Sequence, residues 1–328
     1  MTSIQQIRDQ LAGTRGFGPG LVAVFVGRTS GIGESTAREL VRYSISPRVY
    51  LIGRSQEQAA RIKNEFAQLN SSSDVRFIQS DTSRLLNVDE VCEQVKTQEE
   101  VINLLFLTPG IFHFRGREET IEGLDRKMAL DFYSRLRFTE NLLPLLRHAS
   151  TPHSIESNSI HPPPLARVFS VLGGGRETSI DASDLSLKHN CGLDASTKHA
   201  ITMTTAAFDR LATCPENTGV LFYHTHPGMV KTNGDRELGS LYKLLLGVFI
   251  WMFKPWTVPI QECGERQVWA ATSDSFKGGK VHLIGQRSER LENARVLTKL
   301  NEEGLSEKVW RHTRDVFEDV CNSEDGKY

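Results

Sequence analysis

A glycine-rich segment near the amino terminus has the composition of a phosphate-binding turn. It reads GRTSGIG over residues 27–33. The apolar run LVAVFV precedes it and the amphipathic segment ESTARELVRY follows it, as expected where a strand turns into a helix. Glycines in that context let phosphates approach the positive end of the helix. We therefore predict a dinucleotide site, with a glycine turn that binds no ligand as the alternative. The predicted contacts are Gly27, Arg28, Ser30, Gly31, Ile32 and Gly33.

Two arginines indicate which dinucleotide to expect. Arg54 follows the second apolar segment, about 20 residues beyond the glycines, where an acidic side chain would bond the ribose 2′-hydroxyl of NAD. A guanidinium there favours the 2′-phosphate of NADP, because it can donate two parallel hydrogen bonds to it. Arg28 adds a second cation inside the glycine loop. We therefore expect NADP(H) as the cofactor, unless both arginines are ordinary solvated side chains.

Asp81 and Thr82 follow the third apolar segment and are candidates for the adenine end of the cofactor. A carboxylate at this place could bond the edge of the adenine. The competing interpretation is local, because SDTS at 80–83 is a good helix start and Asp81 would then be its cap.

The elements that must position these residues alternate regularly along the chain. Buried strands are predicted at 21–26, 48–52, 75–79, 102–107, 166–171, 219–224 and 280–284. Helical periodicity is present at 32–43, 56–69, 88–98, 121–148 and 195–212. Such alternation predicts the α/β class, as a single Rossmann-like doubly wound domain with a seven-stranded parallel sheet.

The spacing of the motifs suggests the boundaries of this domain. We expect an N-terminal arm at 1–19, the Rossmann-like domain at 20–285 and a helical C-terminal extension at 286–328. Within the domain, the Ser- and Pro-rich stretch 150–164 is predicted to be an inserted loop, and 235–262 a substrate lid.

The overall composition narrows the class of partner. With 39 Lys and Arg against 40 Asp and Glu, the net charge of −1 gives no reason to expect nucleic acid. The five cysteines have no zinc-ligand spacing, so no metal site is expected, and they favour a reducing compartment. The polar N-terminal segment lacks the apolar run of a signal peptide, which predicts a cytoplasmic protein.

The longest apolar run, at 244–253, is about half the length that spans a bilayer, so no transmembrane segment is predicted. The run could belong to a lid or a buried helix, or contact a membrane surface. A small-molecule substrate is the expected partner, with homo-oligomerisation as a further option.

These motifs together resemble the short-chain dehydrogenase/reductase family, over roughly residues 20–284, and are most similar to fungal members of natural-product pathways. GRTSGIG resembles the family's TGxxxGIG, Asp81 matches its adenine-site aspartate, and HPGMVKT at 226–232 resembles its PGxVxT segment beside the nicotinamide. The turn LTPG keeps one family glycine. The resemblance implies further cofactor contacts at Gly110, Lys198, Pro227, Gly228, Val230 and Thr232.

The catalytic half of the family pattern is only partly present. Members use Asn, Ser, Tyr and Lys, the last two spaced as YxxxK. Here the segment reads DASTK, so Lys198 matches the lysine and Asp194 stands where the tyrosine should be. Asp131 takes the place of the asparagine, and Ser170 matches the first of two family serines. The resemblance thus implies four catalytic candidates, Asp194, Lys198, Asp131 and Ser170.

The residue that replaces the tyrosine is open, because a shift of a few residues would offer His189 or Cys191 instead of Asp194. As a proton donor, Asp194 would need burial to raise its pKa, and Lys198 one turn away would oppose that rise. The local alternative is a helix cap with an i,i+4 ion pair.

Other polar residues near these positions have two interpretations each. Asp131 and Arg135 could serve the substrate or form only a helix salt bridge. His113 and Phe114 would line the rim of the pocket if the resemblance holds, with loop packing as the alternative.

Three functions fit this pattern. The first is an NADP(H)-dependent enzyme that reduces a carbonyl or imine of a bulky, apolar secondary metabolite without the usual tyrosine. Loss of a general acid costs about 10² to 10⁴ in rate, which slows the reaction without forbidding it. The second is a redox-neutral cyclase, isomerase or dehydratase that uses Asp194, Asp131 and Arg135. The third is a catalytically silent binding protein.

Overall fold

The computed structural model describes residues 2–27, 30–111, 116–151, 164–230, 257–292, 296, 298, 302–323 and 326–328. Its centre is an eight-stranded sheet in the order β10-β9-β6-β5-β4-β1-β2-β3. The strands of this sheet are β1 Val22–Gly27, β2 Arg48–Gly53, β3 Asp74–Gln79, β4 Leu104–Thr108, β5 Arg167–Val171, β6 Leu221–Thr225, β9 His282–Ile284 and β10 Arg290–Leu291. A separate two-stranded ladder joins β7 Met229–Val230 to β8 Thr257–Val258.

The helices cover both faces of the sheet. They are α1 Ile4–Leu11, α2 Ile32–Tyr43, α3 Gln56–Leu69, α4 Leu85–Lys96, α5 Arg126–Met128, α6 Ser134–Ser150, α7 Leu193–Thr213, α8 Ile260–Thr272 and α9 Leu305–Phe317. Short 3₁₀ segments lie at Ala12–Phe17 and Pro215–Asn217, and π-helical turns at Ala129–Tyr133 and Glu318–Asn322.

This architecture confirms the predicted doubly wound α/β fold. All seven predicted strands are present and parallel, and the chain reverses its order beside β1, where β4 pairs with β1 on the side opposite to β2. The eighth strand, β10, was not predicted, because two residues are too few to show a pattern. It pairs antiparallel with β9 and lies near the start of the segment 286–328, which was predicted as a helical extension.

The central strands are apolar on both faces because both faces are covered. Val22, Val24 and Val26 belong to one apolar cluster, and Ala23 and Phe25 to the other. On the second face, four aromatic rings from paired positions of neighbouring strands form a continuous row. Their centroids are 5.3, 5.6 and 4.2 Å apart in the order Phe25, Phe106, Phe169 and Tyr223. The row connects β1, β4, β5 and β6, whose carboxyl ends carry the candidate site.

The two ends of the chain pack onto this core. In the predicted N-terminal arm, α1 buries Ile7 and Leu11, and Arg8 pairs with Glu265 of α8 at 3.0 Å. In the predicted C-terminal extension, α9 buries Val309 and Phe317 in the apolar cluster that also contains residues of α6 and α7.

Of the helices in the described part of the chain, none has the length and apolarity to cross a bilayer. The apolar run at 244–253 lies outside the described residues, as do most of the predicted lid and of the insertion at 150–164. The residues that flank 231–256 are brought together by β7 and β8.

Candidate active site

The predicted glycine turn joins the end of β1 to the start of α2. Gly31 is the N-cap of α2, with φ +85°, and none of the described side chains caps the first turn of the helix. The first amide groups of a helix have no partner within it, so an uncapped first turn can receive a phosphate. Ser30 and Ile32 flank Gly31, while Arg28 lies outside the described residues.

The ends of β1 and β4 approach each other closely at this turn. A Cβ atom on Gly27 would lie 2.5 Å from Thr108 Oγ1 and 2.7 Å from the Thr108 carbonyl carbon. A Cβ on Gly33 would lie 2.8 Å from the same hydroxyl oxygen. The hydroxyl donates to the carbonyl oxygen of Val26 at 3.0 Å. Because the strand order reverses here, the carboxyl ends of β1 and β4 border the crevice in which this class of fold binds ligands.

Arg54 and Asp81 lie at the carboxyl ends of the next two strands. Arg54 is exposed and directly follows β2. Asp81 follows β3, and its Oδ1 accepts hydrogen bonds from the backbone amide and the hydroxyl of Ser83 at 3.1 and 2.9 Å. Thr82 beside it is buried. Both positions are compatible with the predicted adenosine end of a dinucleotide.

The competing interpretation of Asp81 as the cap of α4 is wrong. The side chain that caps α4 is that of Glu122. The Glu122 carboxylate accepts hydrogen bonds from the amides of Leu85 and Leu86 at 2.7 and 3.1 Å. Burial raises the pKa of Glu122, and these two hydrogen bonds oppose the rise. A cap supplied from a distant loop leaves no local pattern in the sequence.

Arg135 is a buried cation that ties β4 to β5. Its guanidinium donates to Ser170 Oγ at 2.8 Å, to the carbonyl oxygen of Val171 at 3.0 Å, and to that of Pro109. Burial lowers the pKa of Arg135 to about 10, which the charge of Asp131 partly offsets. Ser170 is also fully buried, so its hydroxyl oxygen serves as an acceptor in this structural clamp.

Asp131 pairs with Lys127 and not with Arg135, contrary to the predicted helix pair. Lys127 Nζ lies 2.6 Å from Asp131 Oδ2, and only 7% and 4% of the two side chains are exposed. The helix predicted from residue 121 begins at Arg126, where the Asp125 side chain accepts from the amide of Met128 at 3.0 Å. Lys127 was missed as a candidate, although its i,i+4 spacing to Asp131 is visible in the sequence.

Asp194 and Lys198 form an exposed ion pair on the first turns of α7. Lys198 Nζ lies 2.6 Å from Asp194 Oδ2, with 47% and 80% of the two side chains exposed. The N-cap of α7 is Gly192, so Asp194 is not the cap that the local alternative proposed. The burial that Asp194 would need to act as a protonated donor is absent.

A buried histidine that the sequence did not single out holds the loop after β5. The amide of Gly173 donates to His224 Nε2 at 3.3 Å, so the proton of the neutral ring is on Nδ1, which lies 2.7 Å from Thr205 Oγ1. Thr205 in turn donates to Glu177 Oε1 at 2.7 Å, and that oxygen also accepts from the amide of Gly175 at 2.9 Å. The loop thus depends on an uncharged His224.

We expect protonation of histidine to destabilise the fold in acid. Burial, helped by the charge of Arg135, lowers the pKa of His224 to about 3, whereas an unfolded histidine titrates near about 6.5. The unfolded chain therefore binds the proton first, and the free energy of unfolding falls by up to about 1.4 kcal/mol per pH unit as pH drops from about 6.5 toward 3. Urea unfolding between pH 7 and 4.5 should show this slope.

The matched control is His224→Gln, which cannot titrate. The substitution weakens the hydrogen-bond network around residue 224 and so lowers stability at every pH. The comparison with the wild type therefore uses the slope of the unfolding free energy with pH, and not its absolute value. His282 and His312, whose pKa burial lowers to about 4, titrate in both proteins and cancel in the comparison. Identical slopes in the two proteins would contradict the assignment of this proton to His224.

The segment after β6 turns sharply and then enters β7. Pro227 precedes Gly228, which has φ +74°, and Val230 pairs with Val258 of β8. Thr232 lies outside the described residues, as do His113 and Phe114. Gly110, after β4, lies against Asp131, whose Oδ1 would be 2.8 Å from a Cβ on this glycine.

Comparison with known proteins finds similar sequences and a matching family. Residues 21–161 match the family model described as short chain dehydrogenase. Oxidoreductase AN1596 of Emericella nidulans is 35% identical over 98% of this chain and 100% of its own. Oxidoreductase lepF of Aspergillus flavus is 31% identical, with 100% of both chains covered.

A solved structure shares the fold at lower identity. The RhlG/NADP active-site complex of Pseudomonas aeruginosa covers 82% of this chain and 96% of its own, with a TM-score of 0.57 and 18% identity. The matches to the two oxidoreductases exceed 30% identity and span nearly the whole of both chains, which is enough to assign the family. The chain belongs to the short-chain dehydrogenase/reductase family of oxidoreductases.

Proposed function

We propose that the protein is an NADP(H)-dependent reductase that acts on a carbonyl or imine of a bulky small molecule of the secondary-metabolite type. The observation that carries the proposal is the glycine turn after β1. There Gly27 and Gly33 lie against Thr108, beside the start of α2, whose N-cap Gly31 makes no side-chain hydrogen bond. A side chain at either glycine would collide with Thr108 and displace the turn from β4.

The residues around this turn fit a bound dinucleotide. The amides of the first turn of α2 would hold its phosphates, and Arg54 would bond the 2′-phosphate. Pro227 and Gly228 follow β6 and would border its nicotinamide end. When bound, the cofactor supplies a hydride. The solved RhlG complex, which has the same fold, contains NADP.

Arg54→Ala is expected to weaken NADPH binding about tenfold and to leave NADH binding unchanged. The reason is the loss of charge-assisted hydrogen bonds to the 2′-phosphate, worth about 1.5 to 3 kcal/mol for a charged partner, part of which solvent replaces. Calorimetric titration with each cofactor measures both affinities. Lys63→Ala, which removes one exposed cation from α3, is the matched control. Equal affinities of the wild-type protein for NADPH and NADH would exclude the NADP assignment.

The redox-neutral function is the competing proposal, and the buried Lys127–Asp131 pair favours it. A paired acid and base can move protons without a hydride. Candidate metabolites are incubated with and without NADPH, and both product mass and NADPH absorbance are followed. Reduction predicts a mass gain of two hydrogens with consumption of NADPH. A product of unchanged mass that forms without NADPH would decide for the redox-neutral enzyme.

A further inference from the structure

A π-helical turn places Asp131 at the carboxyl edge of the sheet. The turn, Ala129–Tyr133, lies between α5 and α6 and changes the direction in which the side chains of this helix point. Its neighbours Met128 and Phe132 are buried in the apolar core. The Asp131 carboxylate instead lies against Gly110, where the chain leaves β4 beside the crevice.

The pair that Asp131 forms with Lys127 is costly as a purely structural device. Removal of each ion from water costs several kcal/mol, and the attraction between them repays this only with favourable geometry and further hydrogen bonds. Replacement of such a pair by apolar residues is often neutral or stabilising. A buried ammonium beside a ligand crevice therefore suggests a role in chemistry.

Three other candidates among the described side chains are less suited to donate a proton. Arg135 donates to carbonyl oxygens and to the hydroxyl of Ser170, and a guanidinium is a very weak acid. His224 is neutral, and both of its ring nitrogens are bonded. Lys198 lies on the exposed surface of α7, with 47% of its side chain exposed against 7% for Lys127. In the regions that the structure describes, Lys127 is the buried ammonium paired with the carboxylate that lies against Gly110.

We propose that Lys127 is the proton donor that replaces the missing tyrosine, with Asp131 holding its ammonium in place. The proposal rests on the proposed reductase function. In the step, the bound cofactor would supply a hydride to the carbonyl carbon and Lys127 Nζ would supply a proton to the carbonyl oxygen, which gives the alcohol and NADP+. The neutral amine that remains would regain a proton from the solvent, so each turnover consumes one NADPH and one H+.

The first test asks whether Lys127 faces the nicotinamide end of the site. This test needs no substrate. Carbamylation by potassium cyanate is followed at each lysine by peptide mass spectrometry. We expect saturating NADP+ to slow the reaction of Lys127 at least tenfold. Adenosine 2′,5′-bisphosphate, which lacks the nicotinamide half, should not slow it. Lys63, exposed on α3, is the internal control and should react equally in all samples.

Each outcome of this test decides between the proposals. Failure of NADP+ to bind, measured beforehand by calorimetry, would overturn the proposed function and this inference with it. If NADP+ binds but Lys127 is unprotected, protected equally by the half-cofactor, or never carbamylated, the inference alone is overturned.

The second test separates proton donation from charge pairing. Lys127→Arg keeps the cation and its partner Asp131, but arginine does not release its proton at neutral pH. For a carbonyl compound that the wild-type protein reduces, we expect kcat to fall about 10² to 10⁴ in both Lys127→Arg and Lys127→Met. The Kd for NADPH and the thermal midpoint of Lys127→Arg should stay near those of the wild type. Retention of full kcat by Lys127→Arg would show that only the charge matters and overturn the proposal.

Discussion

Arg135→Met is expected to lower the free energy of unfolding by about 3 to 5 kcal/mol. Methionine fills much of the same buried volume but donates no hydrogen bond. The variant would leave the hydroxyl oxygen of Ser170 and the carbonyl oxygens of Pro109 and Val171 in the interior without the donor that they now have. A buried acceptor without a partner costs about 1 to 3 kcal/mol, so three of them account for the expected loss.

Urea unfolding followed by circular dichroism measures this loss. Arg311→Met, on the exposed side of α9, is the matched control and should change stability by less than about 0.5 kcal/mol. Arg135→Lys should lie between the wild type and Arg135→Met, because an ammonium cannot reach all the acceptors of the guanidinium fork. If Arg135→Met kept its urea midpoint but lost turnover on the substrate, Arg135 would serve the substrate, which was one of the two alternatives from the sequence.

The three i,i+4 pairs show where inference from the sequence ends. Spacing makes Lys127–Asp131, Asp131–Arg135 and Asp194–Lys198 equally plausible helix pairs. The structure forms the first in the interior and the third on the surface, and it directs Arg135 to backbone carbonyls instead. Burial decides among them, and burial depends on which side of each helix meets the sheet.

Local patterns, by contrast, were sufficient to predict the fold and the glycine turn between β1 and α2. The strands were predictable because parallel strands covered on both faces are continuous apolar runs, as in β1. The glycine turn was predictable because its residues are neighbours in the chain. The Glu122 cap of α4 and the His224 network were not, since both join residues that are far apart in the sequence.

Gly27→Ala is expected to abolish measurable NADPH binding and to lower stability by several kcal/mol. Gly27 has φ +137°, a region that residues with a Cβ rarely adopt, and such strain costs about 1 to 3 kcal/mol. Its new Cβ would also lie 2.5 to 2.8 Å from the hydroxyl oxygen and the carbonyl group of Thr108, and overpacking of this kind costs about 1 to 3 kcal/mol more. Relief of the clash would move β1 away from β4 and distort the glycine turn that follows β1.

A pair of double variants distinguishes this mechanism from a general loss of packing. The clash at Gly33 involves only the Thr108 hydroxyl oxygen, whereas the clash at Gly27 also involves the Thr108 backbone. Thr108→Ala should therefore restore NADPH binding to Gly33→Ala but not to Gly27→Ala, as calorimetric titration would show. Gly13→Ala, where no atom lies within 4 Å of the added Cβ, should bind like the wild type. Rescue of Gly27→Ala by Thr108→Ala would mean that the backbone of β4 moves aside at little cost. The close approach of β1 and β4 would then not determine the conformation of the glycine turn.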